Sequence, residues 1–206
     1  MRIFSALLLV ILWSGFALPA AADFPNQATG HYKLDPSHAS LTFQIMHLGF
    51  SRYTGRFDKF DADLMIDAKT PNQSSLTATI NPASVNTNNS ELQDKLRGSF
   101  YFNVDKFPEI KFVSKAIAVT GAKTGIIKGD LTMLGVTKSV SLNITFNGAA
   151  VHPYAVVYTA GFSATATIKR SDFGMKTLIP QVADEVKIMI EAEFHKLPDA
   201  PASDAQ

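Results

Sequence analysis

The chain has 206 residues, of which 46% are apolar and 18% charged, with 19 lysines and arginines against 18 acidic residues. This is enough apolar material to bury the core of one domain, which excludes a disordered or charge-driven scaffold. The net charge of +1 argues against a general nucleic-acid-binding protein, because such a protein needs a basic surface to displace counterions. The lack of cysteine excludes thiol nucleophiles, cysteine-ligated metals and disulfides.

Residues 1–22 have the layout of a secretory signal peptide. Arg2 supplies a positive charge, residues 3–18 are mostly apolar, and three alanines ending at Ala22 supply the small residues of a cleavage site. The alternative is a retained membrane anchor, but the apolar run is about 16 residues, shorter than the ~20 that span a bilayer. We therefore expect cleavage after Ala22 and a mature chain that begins at Asp23 without stable membrane insertion. Its destination is the periplasm or the exterior of the cell, and of these we predict the periplasm.

The mature chain is dominated by a strict alternation of apolar and polar residues. In the first clear example, Leu41, Phe43 and Ile45 alternate with polar neighbours, as in a half-buried strand. We predict eight strands at 39–49, 52–67, 74–82, 109–120, 125–133, 138–148, 156–170 and 184–196. Their short connections indicate antiparallel neighbours. Eight such strands in sequence favour an all-β, up-and-down barrel, which has no free edges; a β-sandwich is the alternative.

Residues 90–97 break the alternation, and their pattern predicts a short helix. Ser90 is a suitable N-cap, Gln93 completes a capping box, and Gly98 is suited to end the helix. A second irregular insertion is predicted at 171–184. The polar, proline-containing tail 197–206 is predicted to be disordered, which leaves residues 23–196 as one domain.

The sequence carries no recognisable catalytic or metal-binding motif. No pair of the five histidines has the i, i+4 spacing of a helical metal site, and His38 and His47 point to opposite faces of a regular strand. There is no nucleophile-elbow serine, no phosphate-binding glycine loop and no calcium-binding loop. We predict no catalytic residues, no metal and no resident cofactor. Because catalytic triads are assembled in space, an enzyme acting on a lipid-like substrate stays an alternative.

Several motifs together carry a resemblance to a known family. They are Tyr-Lys-Leu-Asp-Pro-Ser-His-Ala-Ser at 32–40 with His-Leu-Gly at 47–49, Gly-Arg-Phe-Asp-Lys-Phe at 55–60, Leu-Arg-Gly-Ser-Phe-Tyr-Phe-Asn-Val at 96–104 with Phe-Pro-Glu-Ile-Lys-Phe at 107–112, 129–137, and Arg-Ser-Asp-Phe-Gly at 170–174 with 182–186. In this order and spacing they resemble the YceI-like family of exported polyisoprenoid-binding proteins, over residues 31–195. Two departures are mild: His-Ala-Ser at 38–40 where many members have His-Ser, and Gly-Ser at 98–99 within the helix-end motif.

The resemblance implies a lipocalin-like eight-stranded barrel with an elongated apolar cavity. Its ligand would be a long-chain lipid, such as a polyisoprenoid, a quinone-like molecule or a fatty amide or acid. Some members are dimers, so a homodimer is one expectation for this chain. Ala160, Ala164 and Ala166 on one predicted strand face leave room inside such a barrel. A protein-interaction module is the structural rival, and it predicts a barrel filled by its own side chains.

Ten residues are candidates for contact with the ligand. The candidates for the mouth of the barrel are His38, His47, Arg97, Arg170 and Asp172, and those for the wall are Phe43, Phe102, Phe107, Phe162 and Phe173. Each has a plainer alternative. His47 is also suited to a core position bonded to the backbone, and Arg97 to the C-terminal end of the helix dipole. Arg170 and Asp172 are also suited to an internal ion pair, and the phenylalanines to ordinary core packing.

Overall fold

The computed structural model describes residues 28–199. Within this range the chain forms ten strands and one α-helix. They are β1 (Gly30–His47), β2 (Ser51–Phe57), β3 (Phe60–Ile66), β4 (Ser75–Ile80), β5 (Val85–Asn86), α1 (Ser90–Arg97), β6 (Ile110–Val119), β7 (Thr124–Met133), β8 (Val136–Val151), β9 (Tyr158–Lys169) and β10 (Val182–Lys196). Single turns of 3-10 helix lie at 71–73, 82–84 and 170–173.

The strands close into an eight-stranded antiparallel barrel, which confirms the predicted fold class. The ring runs β1, β3, β4, β6, β7, β8, β9 and β10, and β10 pairs back onto β1. β1 is long enough to pair with two segments in succession: Gly30 lies opposite Ile66 of β3, and His47 lies opposite Ser51 of β2. β2 and β3 therefore continue one another along the wall, as do β5 and β4.

Two of the predicted strand boundaries were wrong for identifiable reasons. The segment predicted as one strand at 52–67 is interrupted at Asp58 and Lys59, which bond to the turn between β4 and β5. The Asp58 N–H donates to the Ser84 carbonyl at 3.1 Å, and the Asn81 N–H donates to the Lys59 carbonyl at 3.0 Å. β1 begins at Gly30 rather than at 39, because a bulge between Leu34 and Ala39 breaks the alternation and disguises the first half of the strand.

The helix occupies the predicted residues, but its cap is one residue earlier than predicted. Asn89, not Ser90, is the N-cap: its backbone is extended and its side-chain oxygen accepts the Leu92 N–H at 3.0 Å. Asparagine at this position satisfies an N–H that has no partner inside the helix. Gly98 ends the helix as predicted, with its N–H bonded to the Lys95 carbonyl.

The two ends of the barrel differ. The end where β1 begins is filled by Tyr32, Ile66, Phe146 and Ala160, each at most 3% exposed. The opposite end is surrounded by the β1–β2 turn, α1, the 98–109 loop and the 170–181 segment. We call this opposite end the mouth.

Three sequence predictions concern the ends of the chain: the signal peptide, the disordered tail and the lack of stable membrane insertion. The predicted signal peptide and residues 200–206 of the predicted tail lie outside the described residues. Residues 197–199 have no regular secondary structure, and the Leu197 N–H bonds to the His31 carbonyl at 2.8 Å. In the described part of the chain, no helix has the length and apolar character needed to cross a membrane.

Candidate ligand-binding cavity

A cavity of about 540 Å³ lies inside the barrel. Its volume falls within the range of roughly 300–1,000 Å³ typical of small-molecule sites. On β1 its lining extends from Leu34 to His47. This is roughly 40 Å of strand path at about 3.3 Å per residue, and less along the axis because barrel strands are tilted. The space is therefore elongated, and side chains of α1 and of the barrel strands line it.

Small residues in the wall create this space. Ala62, Ala78, Ala164 and Ala192 line the cavity on four different strands. Of the three alanines singled out in the sequence, Ala164 lines the cavity, while Ala160 and Ala166 are buried in the surrounding core. Larger side chains at the lining positions would fill the space with protein atoms.

Aromatic rings form the wall near the mouth. Phe57 lies between Phe43 and Phe102, with ring centroids 5.6 and 5.4 Å away. The Phe43 ring lies directly over Gly55 on the paired strand, where a Cβ atom would overlap it. Because Gly55 has no side chain, the Phe43 ring can pack against the paired strand as part of the cavity wall.

The polar side chains at the mouth end of the cavity are few. His47, Tyr53, Thr87, Tyr101 and Arg170 contribute to the lining there. The Tyr53 hydroxyl donates to the Thr87 carbonyl at 3.1 Å, so it is held by the main chain. His47 is exposed at the end of β1, at the entrance. Polar groups at the entrance of an apolar cavity are suited to select a ligand head group.

Arg170 is buried and bonds to the main chain of the mouth. Its guanidinium donates to four carbonyl oxygens, those of Met175 (3.4 Å), Thr177 (2.8 Å), Val182 (2.8 Å) and Ala183 (2.9 Å). Desolvation by burial lowers the pKa of this guanidinium. The carbonyl oxygens are good acceptors for the fork of arginine donors, so the side chain fixes the loop that follows β9.

The ion pair considered between Arg170 and Asp172 is not formed, because the guanidinium is turned to these carbonyls and Asp172 is exposed. The acidic residue that forms hydrogen bonds with this turn is Asp184. It accepts the Ser171 N–H at 2.8 Å and the Ser171 hydroxyl at 2.7 Å. The hydrogen bond from the Ser171 hydroxyl is the main reason that the pKa of Asp184 is lowered.

The ten candidate residues divide into two groups. Those in the cavity wall are Phe43, His47, Phe102, Phe162 and Arg170. Those outside the lining are His38, Arg97, Phe107, Asp172 and Phe173. Phe173 is fully buried in the core, and Phe107 lies beneath the Lys106 ammonium, 5.3 Å from the ring centroid. Arg97 joins α1 to the β4–β5 turn by donating to the Ala83 carbonyl at 2.9 Å.

His38 belongs to a polar cluster on the outside of the barrel. Its Nδ1 lies 2.6 Å from Asp35 Oδ2, and the Ser37 hydroxyl donates to Asp35 Oδ1 at 2.6 Å. His195 approaches the same carboxylate at 3.5 Å. The His38 and Ser37 hydrogen bonds hold the pKa of Asp35 far below its usual value, and the bond to Asp35 raises the pKa of His38. Among residues 28–199, no set of three or more histidine and carboxylate side chains is placed to hold a metal ion.

Several lining residues were not predicted from the sequence. Leu92 and Leu96 of α1 both face the cavity, and their i, i+4 spacing was a usable signal of one apolar helix face. Tyr101 and Leu178 lie on irregular loops, where no periodicity indicates direction. Tyr53 lies on β2, in the segment whose interruption was not predicted.

The chain is similar in sequence to a known domain family and in fold to solved structures. The model of the YceI-like domain matches residues 32–194. A UPF0312 protein from Photorhabdus laumondii is 38% identical over 165 residues, which are 79% of this chain and 85% of the relative. The crystal structure of Burkholderia cenocepacia BcnA is 27% identical, with a TM-score of 0.71 over 78% of this chain and 98% of that one.

A more distant structural relative shares the fold alone. It is a polyisoprenoid binding domain from Saccharophagus degradans implicated in plant cell wall breakdown, and it is 13% identical. Its TM-score is 0.58, and the match covers 82% of this chain and 100% of that one.

Proposed function

Because the chain belongs to the YceI-like family, we propose that it is a carrier that holds one long-chain apolar lipid in the barrel cavity and performs no catalysis. The ligand class is a polyisoprenoid, a quinone-like molecule or a fatty amide or acid. The polyisoprenoid binding named for the Saccharophagus degradans domain, which shares this fold, supports that class.

The elongated apolar cavity is the observation that carries the proposal. A packed-barrel interaction module would have its interior filled by side chains, whereas about 540 Å³ of apolar space is present here. Each buried methylene contributes about 0.8 kcal/mol of gross binding free energy. Ordering a flexible chain subtracts from that sum. We expect tight binding with weak selection among tails, because one methylene more or less changes affinity little.

The position of the polar groups favours binding over chemistry. His47, Tyr53, Tyr101 and Arg170 line the mouth end of the cavity, while the part near Leu34 is lined by hydrocarbon side chains. An enzyme acting on a lipid chain needs converging polar groups at the reacting bond. Among the lining side chains, the polar one away from the entrance is Thr42, whose hydroxyl donates to the Met189 carbonyl at 3.3 Å. The groups at the entrance are suited to a head group.

We also propose that the carrier works in the periplasm after removal of residues 1–22. Expression of the full chain in a Gram-negative host, followed by cell fractionation and N-terminal sequencing, tests this. The expected result is a periplasmic protein that begins at Asp23. A protein that keeps Arg2 and stays in the cytoplasm would refute the localisation and leave the cavity proposal intact.

Native mass spectrometry of the purified mature protein tests the carrier proposal directly. The expected result is one long-chain lipid per protomer, identified after extraction with organic solvent. The same spectra show whether the protein is the homodimer expected from the family resemblance. A protein that is empty, and that takes up neither prenyl nor fatty chains added from ethanol, would overturn the carrier function.

A further inference from the structure

Four large apolar side chains are exposed around the mouth. Phe50 is 87% exposed, Phe100 77%, Leu178 57% and Leu48 50%. They lie on three separate segments, 47–52, 98–101 and 174–181, which we call the mouth collar. Exposed apolar side chains that form a patch of this kind mark an interaction surface. The other exposed cluster, Val151, Tyr154 and Val156, lies at the opposite end of the barrel and is not part of the cavity lining.

Hydrogen bonds hold the three segments of the mouth collar together. The Leu48 N–H donates to the Gln181 carbonyl at 2.8 Å. The Thr177 hydroxyl donates to the Phe100 carbonyl at 3.0 Å. The collar is also continuous with the cavity, because Leu178 lines the cavity and is exposed as well.

The two leucines of the mouth collar occupy unfavourable backbone positions. Leu48 and Leu178 have φ values of 52° and 61°, in the left-handed region that favours glycine and asparagine. The turn at Leu134 and Gly135 has a similar conformation, but Leu134 packs against the core. Leu48 is 50% exposed, so packing within the barrel covers only half of its side chain. An apolar partner outside the barrel would cover the rest.

The charges of the mouth collar have one sign. Its three segments contain Arg52 and Lys176 and no carboxylate. Both cations are exposed. The other charges of the mouth lie outside the collar. Glu91 and Asp94 on α1 are paired with Lys95 and Arg97, and Asp105, Lys106, Glu109 and Asp172 are exposed on the rest of the 98–109 loop and the 170–181 segment. Projecting aromatic and leucine side chains beside basic residues are the combination found on proteins that bind the surface of an anionic bilayer.

We propose that the mouth collar docks on the surface of a phospholipid bilayer, with its apolar tips inserted among the lipids and the cavity entrance against the membrane. This inference rests on the proposed carrier function, because a long-chain lipid has a bilayer as its reservoir. Docking in this orientation lets the ligand pass between bilayer and cavity without exposing its chain to water, which is the costly step.

Co-sedimentation with vesicles of phosphatidylethanolamine and phosphatidylglycerol tests the docking. We expect the mature protein to bind, and Phe50→Ser and Phe100→Ser each to weaken the partition coefficient roughly tenfold. Arg52→Gln with Lys176→Gln is expected to weaken binding at low salt and to have less effect at high salt. The matched control is Tyr154→Ser with Val156→Ser, which removes two exposed apolar side chains at the other end of the barrel.

Three results would contradict docking of the mouth collar on a bilayer. It is overturned if the mature protein does not bind vesicles, or if Phe50→Ser with Phe100→Ser binds as well as the control variant. It is also overturned if sedimentation velocity shows a dimer that this double variant dissociates, because the mouth collar would then be an interface between two copies. Circular dichroism and thermal unfolding of each variant establish that it is folded.

A second measurement separates failure of docking from failure of the carrier function. A fluorescent fatty-acid probe is added from ethanol, without vesicles. Phe50 and Phe100 are not part of the cavity lining, so we expect their variants to bind the probe with unchanged stoichiometry. Their uptake of the probe from vesicles is expected to be about tenfold slower than that of the unmodified protein. If the unmodified protein binds no probe from ethanol, the carrier function fails whatever the vesicle result.

Discussion

The guanidinium of Arg170 donates a hydrogen bond to the carbonyl oxygen of Val182 at 2.8 Å, at the residue where β10 begins. Val182 lies opposite His47, the last residue of β1. One buried side chain therefore connects the end of β9 to the strand pair that closes the barrel. Its bonds to Met175 and Thr177 extend the connection to the third segment of the mouth collar.

Replacing Arg170 should destabilise the mouth. Arg170→Met leaves four carbonyl oxygens without their donor, and we expect the free energy of unfolding to fall by roughly 2–4 kcal/mol. Arg170→Lys should lower the free energy of unfolding by a smaller amount, because a lysine ammonium does not reproduce the fork of guanidinium donors. Urea denaturation measures both. The exposed neighbour Lys169→Met is the control, expected within about 0.5 kcal/mol of the parent; an equally small effect of Arg170→Met would refute this role.

Filling the cavity should remove binding without unfolding the protein. Ala164→Leu adds apolar atoms to a wall position, so we expect lower probe stoichiometry and an unchanged or higher melting temperature. Probe titration and thermal unfolding measure the two effects. Thr165→Leu, on the outer face of the same strand, is the matched control and should bind the probe normally. Normal binding by Ala164→Leu would place the ligand elsewhere.

Two glycines should differ in their tolerance of alanine. A Cβ atom at Gly129 would overlap the Phe112 ring and lie 2.6 Å from the Val113 carbonyl oxygen, which belongs to the backbone and does not move easily. We expect Gly129→Ala to cost about 1–3 kcal/mol of stability in a denaturation experiment. At Gly148 nothing lies within 4 Å of an added Cβ atom, so Gly148→Ala should have little effect. Equal effects at the two positions would contradict the close approach of Phe112.

The cluster around Asp35 should make stability depend on pH. The hydrogen bond to Asp35 raises the pKa of His38 above its usual value of 6.5, with a smaller contribution from Glu193. His195 contacts the same carboxylate, and the His152 ring lies 6.3 Å from that of His38. A group whose pKa is raised by folding adds stability that is full below the unfolded pKa and is lost as pH rises through the folded value.

His38→Gln should therefore flatten the decline in stability above about pH 6.5. The carboxylate of Asp35 has the opposite dependence: its lowered pKa adds stability above its usual value of 3.8, and this is lost in acid. Melting temperatures between pH 3 and pH 9 test both statements, and NMR titration of the His38 ring tests its pKa directly. A His38 ring that titrates below pH 6.5 would contradict the contact with Asp35.

The alternation of residues predicted the strands well, and it failed where the backbone departs from regular pairing. Leu34 and Leu41 are an odd number of positions apart, a spacing that would place them on opposite faces of a regular strand. Both are buried, because the bulge at 35–38 shifts the alternation of inward and outward side chains by one residue. His38 lies in that bulge, and its outward position agrees with the alternation, in which it shares a face with Ser40. The odd spacing of Phe57 and Phe60 was a usable signal of the break between β2 and β3.

The mouth was harder to predict than the wall. Leu178 and Tyr101 reach the cavity from loops whose paths depend on hydrogen bonds between distant segments, such as that between Thr177 and Phe100. The partners of Arg170 are main-chain carbonyls, which no side-chain motif reveals. A sequence pattern specifies which strand face is apolar, but it does not specify how separate loops meet.

The pairing of β1 with β10 sets the order in which this barrel assembles. The contact between Thr42 and Met189 joins residues 147 positions apart, so the ring cannot close until β10 is free to pair with β1. Contacts this distant in sequence make folding slow, and until closure β1 and β9 each keep an edge of unpaired amides. Pairing of β10 with β9 and β1 is thus the event that ends the aggregation-prone period of the folding chain. A truncation within β10 would leave the protein permanently in that open state.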